Sequence, residues 1–202
     1  MMAALPVCWW TAAAGFSPAL AGGVHPTVIG LRGQVEREAA RRDIRAVLAA
    51  ALAAQCGVDA GRVQLHSPPG VAPWAIVVED DGPRRVPLAI SHDGELSVAA
   101  FSLAGTVGID VSQVVPVPDW EAVARDYLAP AAVQMLAALP AAGRDAAFAR
   151  AWSEHEARLK CLGLKLDEWR AEREPVLLAC ACLSLALPAG YVGSLALGPV
   201  GA

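Results

Sequence analysis

Hydrophobic and polar positions change period several times along the chain, and each change predicts an element. Residues 31–55, "LRGQVEREAARRDIRAVLAAALAAQ", are helix formers throughout. Val35, Ala39, Ile44, Val47, Leu48 and Leu52 approximate one apolar face, which predicts a helix. Gly57 and Gly61 stop it, and residues 63–65 predict a short strand. "WAIVV" at 74–78 predicts a strand closed by the turn-forming "EDDGP". In "VPLAISHDGELSVAAFSLAGTVGIDVS" short apolar runs alternate with turn residues. That pattern predicts three strands of an antiparallel meander, separated at "SHDGE" and "LAG". After "VVPVPDW", helical patterns cover about 119–137 and 143–162, with Pro130 breaking or kinking the first. "LDEWRAEREP" reads as a connector, and "PVLLACACLSLALPAGYVGSLAL" as two or three closing strands.

The order helix, strands, helices, strands predicts an α+β protein of two lobes, 1–106 and 107–202, each with a small antiparallel sheet packed with a helix. No sequence repeat relates them. The 202 residues can bury an adequate core in either one domain or two lobes. The apolar N-terminal stretch has no basic residue before Arg32, unlike a secretory signal, and "PVCWWTA" predicts an opening strand. The apolar run near the C-terminus is too short for a bilayer span and is broken by Pro188, so no membrane association is expected.

Composition narrows the partners. Apolar residues make up 55% of the chain, much of it alanine, as in a globular protein. The net charge of −4 argues against a nucleic-acid partner, and an acidic macromolecule would have to meet a local basic patch. Cys8, Cys56, Cys161, Cys180 and Cys182 are odd in number and form no C-x-x-C pair, so neither a disulfide framework nor a zinc site is indicated. Reduced thiols fit a cytoplasmic location.

The chemistry concentrates in "AWSEHEARLKCLG", residues 151–163. His155 and Glu156 open a zincin-like signature, but that mechanism needs a second histidine where this chain has Leu159. Glu156 and Lys160 instead share one helix face. Taken alone, they read as a solvated pair, His92 as a turn histidine, Asp110 as a strand-end residue, and the arginines of 37–45 as a solvated face.

Taken together, "ISHDG" at 90–94, "VGIDVS" at 107–112 and "WSEHEARLK" at 152–160 resemble the three signature motifs of the Sfp-type 4′-phosphopantetheinyl transferase superfamily. The resemblance covers about residues 30–165, and "GYVGSLAL" looks like that family's last strand. It implies a pseudo-dimer of two similar lobes with the active site in the cleft between them. It also implies a phosphopantetheinyl transferase of the holo-[acyl-carrier-protein] synthase type, a monomer acting on coenzyme A and an apo acyl or peptidyl carrier protein of polyketide, peptide or fatty-acid synthesis and releasing 3′,5′-ADP.

On the matching positions, Asp110 and Glu156 are implied as ligands of Mg²⁺ or Mn²⁺, with Glu156 or a metal-bound water as base. Ser91 and His92 are implied contacts of a coenzyme A phosphate, and Lys160 an aid to the leaving group. Arg37, Arg41, Arg45, Arg84 and Arg85 are candidates for the 3′-phosphate. The residue types suit this chemistry: Mg²⁺ takes one or two carboxylates and leaves positions for phosphate and water, and an ammonium stabilises a departing phosphate. The chain departs from the motifs at Ser112, where a second acid is usual, and at His155, where lysine is usual; "PPGVAPW" also lacks the usual lysine. These departures keep a second expectation open, a catalytically weak relative that binds coenzyme A or a carrier protein.

Overall fold

The computed structural model describes residues 4–10, 26–33 and 36–199. The chain opens with β1 (Leu5–Pro6), β2 (Cys8–Trp9) and β3 (Thr27–Arg32), followed by α1 (Arg37–Cys56). Four strands come next, β4 (Val63–His66), β5 (Trp74–Glu79), β6 (Gly82–Asp93) and β7 (Leu96–Phe101), and then β8 (Val107–Gln113). Helices α2 (Trp120–Tyr127), α3 (Pro130–Ala137), α4 (Ala141–Leu162) and α5 (Glu174–Leu178) precede β9 (Ala181–Ala186) and β10 (Tyr191–Leu197). The protein is α+β, and its described residues form two sheets, ordered β2-β3-β7-β6-β5-β4 and β1-β9-β10-β8. All pairings are antiparallel except the two made by the opening segment, β1 with β9 and β2 with β3.

Helix α1 begins where the Glu36 carboxylate accepts from the amides of Glu38 and Ala39, and ends at Gly57 in the left-handed region. Its apolar face buries Ile44, Val47, Leu48 and Leu52 against the six-stranded sheet. Each such side chain contributes about 1.5–3 kcal/mol on burial. Val35, which the periodicity places on this face, lies outside the described residues, as do Thr11 and Ala12 of the expected opening strand. A second cluster, including Val98, Ala100, Ile109, Val111 and Leu195, joins the two sheets.

Several elements differ from the sequence reading. Strand β3 was not legible ahead of the helix. The expected turn "SHDGE" shrinks to Gly94 and Glu95, because β7 holds Ser91, His92 and Asp93 in strand register opposite Val98, Ser97 and Leu96. Gly94 takes the positive φ of 53° that a two-residue hairpin needs. The third strand leaves the meander, since β8 pairs with β10 in the other sheet. Residues 174–178, expected as strand or connector, form a helical turn with Pro175 in its first turn. Pro130 begins a new helix, so that the expected 119–137 element becomes α2 and α3.

Helix α4 lies directly against β8. A methyl group on Gly108 would collide with the Ala157 carbonyl oxygen and the Cys161 amide, and would lie 2.9 Å from Cys161 Cα. This close approach sets Asp110, two residues on, under the helix that carries Glu156 and Lys160.

Candidate active site

Three elements supply the site: the end of β6, the middle of β8 and the second half of α4. Ser91 donates to Asp110 Oδ1 at 2.8 Å, and its Oγ accepts from the Val111 amide at 3.4 Å, tying β6 to β8 across the two sheets. Lys160 Nζ donates to Asp110 Oδ1 at 2.7 Å and to Ser91 Oγ at 3.2 Å, and lies 3.6 Å from Glu156 Oε2. Ser112 donates to the other oxygen, Asp110 Oδ2, at 3.4 Å. Ser153 fixes the helix from within, donating to the Asp110 carbonyl at 3.2 Å. Asp93 accepts from the Gln113 amide at 2.6 Å and pins the strand ends together.

Ser91, Asp93, Asp110, Ser112, Glu156 and Lys160 line an open, mostly polar cleft of about 430 Å³ that also takes in Arg37, Arg41, His92 and Trp152. Trp152 stacks on Phe148 at 6.2 Å and meets Tyr127 edge-on at 5.8 Å, which anchors α4 one turn before Glu156. Three further pockets adjoin the cleft, and one of about 250 Å³ shares Arg37, His92 and Asp93 with it. Another of about 290 Å³ shares Ile90 and Lys160 with it, and an apolar one of about 280 Å³ shares Asp93, Ser112 and Trp152.

The candidate residues do not all gather here. Arg37 and Arg41 reach the cleft from the first half of α1, whereas Arg45 does not line it. Arg84 is held by the Leu103 carbonyl at 3.0 Å and by Glu79, and Arg85 lies over the Trp74 ring. Both are committed away from the cleft. His155, which stands where the motif usually has lysine, is half-buried, and its Nε2 is enclosed without a partner among the described residues. Burial first, and the Arg158 charge second, lower its pKa. Ser97, which holds His92 from behind, carried no sequence signal, being an ordinary serine inside a strand, whereas Ser153 lies within the "WSEHEARLK" motif and gains its role only from its bond to the Asp110 carbonyl.

Electrostatics follow from this crowding. Asp110 is 5% exposed. Burial pushes its carboxyl up, the Lys160 ammonium and Ser91 hydroxyl pull it down, and the Glu156 charge adds to the rise. His92 shares its Nδ1 with Ser97 Oγ at 2.8 Å. Burial, then the charges of Arg41, Arg37, Lys160 and Arg45, depress it from 6.5 to about 4, so the ring is neutral at neutral pH.

A pH dependence of stability follows. As pH falls below about 6.5 the unfolded chain takes up this proton before the folded one, so the His92 contribution is complete above that value and declines towards about 4. Urea midpoints measured at pH 7, 6 and 5 should fall more steeply for the parent than for His92→Gln. Equal slopes would contradict the burial argument.

The donor set suits a small hard cation. Two carboxylates, Asp110 and Glu156, already share one ammonium, and among the described residues no third histidine, cysteine or acid closes a cage around them. Such a pair leaves positions for phosphate and water. Residues 106–175 match the family model described as the 4′-phosphopantetheinyl transferase superfamily. The chain is 32% identical over 84 residues to the protein named "Putative 4′-phosphopantetheinyl transferase slr0495" of Synechocystis sp., covering 41% of this chain and 34% of that protein. It is 28% identical over 127 residues to 4′-phosphopantetheinyl transferase HetI of Nostoc sp., covering 61% of this chain and 53% of that protein. The alignments thus span a third to about half of these relatives.

Proposed function

Because residues 106–175, which contain Asp110, Glu156 and Lys160, resemble the phosphopantetheinyl transferase superfamily, we propose that this chain transfers 4′-phosphopantetheine from coenzyme A to a serine of an apo acyl or peptidyl carrier protein. The observation that supports this reading is the convergence of two acids and an ammonium on one cleft with Arg37 and Arg41 at its edge. On the proposed division into lobes 1–106 and 107–202, Ser91 and His92 come from one lobe, and Asp110, Glu156 and Lys160 from the other.

In the proposed reaction the carrier serine oxygen attacks the phosphorus that bears pantetheine. A new O–P bond forms, and the bond from that phosphorus to the 3′,5′-ADP oxygen breaks. Glu156 accepts the hydroxyl proton. Lys160, on a flexible four-carbon stem, reaches the departing phosphate oxygen and stabilises its charge. Asp110 and Glu156 would hold Mg²⁺ or Mn²⁺, which when bound supplies Lewis-acid neutralisation of the diphosphate. Ser112 adds a hydroxyl beside Asp110 where a carboxylate is usual. Arg37 and Arg41 offer guanidinium forks to phosphate, and neutral His92 offers a ring nitrogen. The adjoining pockets lengthen the cleft, as an elongated nucleotide diphosphate ester requires.

The reading places the protein in the cytoplasm as a monomer, and the free cysteines suit that compartment. Replacing Arg37 and Arg41 together by Met should weaken coenzyme A binding about 10- to 100-fold by calorimetry and change the melting temperature little, since both are exposed on α1. The test of function is accumulation of 3′,5′-ADP in proportion to added apo carrier protein. Coenzyme A binding without ADP release would favour the weak-relative reading.

A further inference from the structure

Lys160 stands where a cation between Asp110 and Glu156 must stand. Its ammonium is 2.7 Å from Asp110 Oδ1 and 3.6 Å from Glu156 Oε2, with Ser91 Oγ at 3.2 Å as a third oxygen. Asp110 needs such a partner, because a carboxylate 5% exposed and without a counter-charge is strongly disfavoured. Lys160 itself is about a third exposed, at 31%, and sits at the cleft wall on a long stem, so it can leave without crossing the core. Ser91 already occupies one lone pair of Asp110 Oδ1, so an ammonium and a divalent ion, which also repel each other, compete for the other.

We propose that Lys160 is an internal placeholder for the metal: it neutralises Asp110 and Glu156 until a divalent cation arrives, and then moves off Asp110 to meet a phosphate of the substrate. This rests on the functional reading above and adds an order to it. Divalent cation alone must displace the lysine into water and binds weakly. Cation together with a diphosphate binds cooperatively, because the displaced ammonium finds a new anion in the same cleft. The coupling is reciprocal, so bound metal also frees Lys160 for coenzyme A. Ser91 and Ser112 remain on Asp110 throughout and hold its orientation while the cations exchange.

The test measures Mn²⁺ binding by electron paramagnetic resonance on the full chain without coenzyme A. Lys160→Met should bind Mn²⁺ about tenfold or more tightly than the parent. Lys160→Arg, which keeps a cation within reach of Asp110, should stay near the parent. Arg37→Met removes a cleft charge of the same sign that does not touch Asp110, and should gain much less than Lys160→Met. Unchanged or weakened Mn²⁺ binding in Lys160→Met, or an equal gain in Arg37→Met, overturns the proposal.

Should Lys160→Met not fold alone, millimolar Mg²⁺ or Mn²⁺ is expected to restore its folding, and failure of both ions to do so also overturns the proposal. Transfer by the parent is scored separately. Tightened Mn²⁺ binding without any transfer leaves the placeholder standing and removes the functional reading, and transfer with unaltered Mn²⁺ binding does the reverse.

Discussion

Replacing Asp110 by Asn is expected to reduce transfer on the order of 10³-fold or more while the protein remains folded. The carboxylate is asked to do two things that an amide cannot: hold a divalent cation with Glu156 and keep Lys160 beside the cleft. The amide matches it in shape, and Ser91 can still donate to the side-chain oxygen. Removing a buried charge also removes its desolvation penalty. The melting temperature should therefore stay within a few degrees of the parent, and the loss should appear in kcat and kcat/KM together. An Asp110→Asn protein within tenfold of parent activity would contradict a metal role for this residue.

The second large effect is expected at Gly108→Ala, which touches no reacting atom. The added methyl meets the Ala157 carbonyl and the Cys161 backbone, and neither can rotate aside as a side chain would. Relief requires moving α4, a 22-residue helix, away from β8. Overpacking of this kind costs about 3 kcal/mol, which for a chain of this size lowers the melting temperature by roughly 6–12 °C. Glu156 and Lys160 flank the contact at Ala157, so activity should fall by more than the folded fraction does. Thermal unfolding followed by circular dichroism, with activity normalised to folded protein, measures both. A melting temperature within about 2 °C of the parent would show that the helix is not held as closely as described.

What could be read from the sequence, and what could not, follows from which signals are local. Helix α4 and strands β5 and β8 declare themselves by period and by their bounding turns, and the one-turn spacing of Glu156 and Lys160 survives unchanged in the structure. The convergence of Ser91, Asp110, Glu156 and Lys160 was legible only through the three motifs taken together. No periodicity places β6 beside β8, and that contact depends on β8 pairing with β10 about 80 residues later. Asp93 and His92 looked like turn residues because Asp and Gly favour turns, yet the ladder to β7 keeps both in strand. The arginines illustrate the same limit. Arg37, Arg41 and Arg45 share a helix, but the rotation of α1 brings only the first two to the cleft lining, while Arg84 and Arg85 find local partners on the sheet.

Ser112 stands beside Asp110 at the cleft. The motif shows only that an acid is missing, whereas the structure shows its hydroxyl donating to Asp110 Oδ2 at 3.4 Å. A neutral residue there leaves Asp110 and Glu156 as the carboxylate pair that Lys160 contacts, while Arg37 and Arg41 line the same cleft without touching Asp110.

The proposed activity of this cleft is transfer of phosphopantetheine from coenzyme A to a carrier protein. Intact-mass spectrometry tests it most directly, on a panel of apo carrier proteins incubated with coenzyme A, Mg²⁺ or Mn²⁺, and either the parent or its Asp110→Asn and Glu156→Ala variants. At least one carrier should gain the mass of a single phosphopantetheinyl group with the parent and with neither variant. A panel that gains no mass with the parent, under conditions where coenzyme A binds, would contradict it.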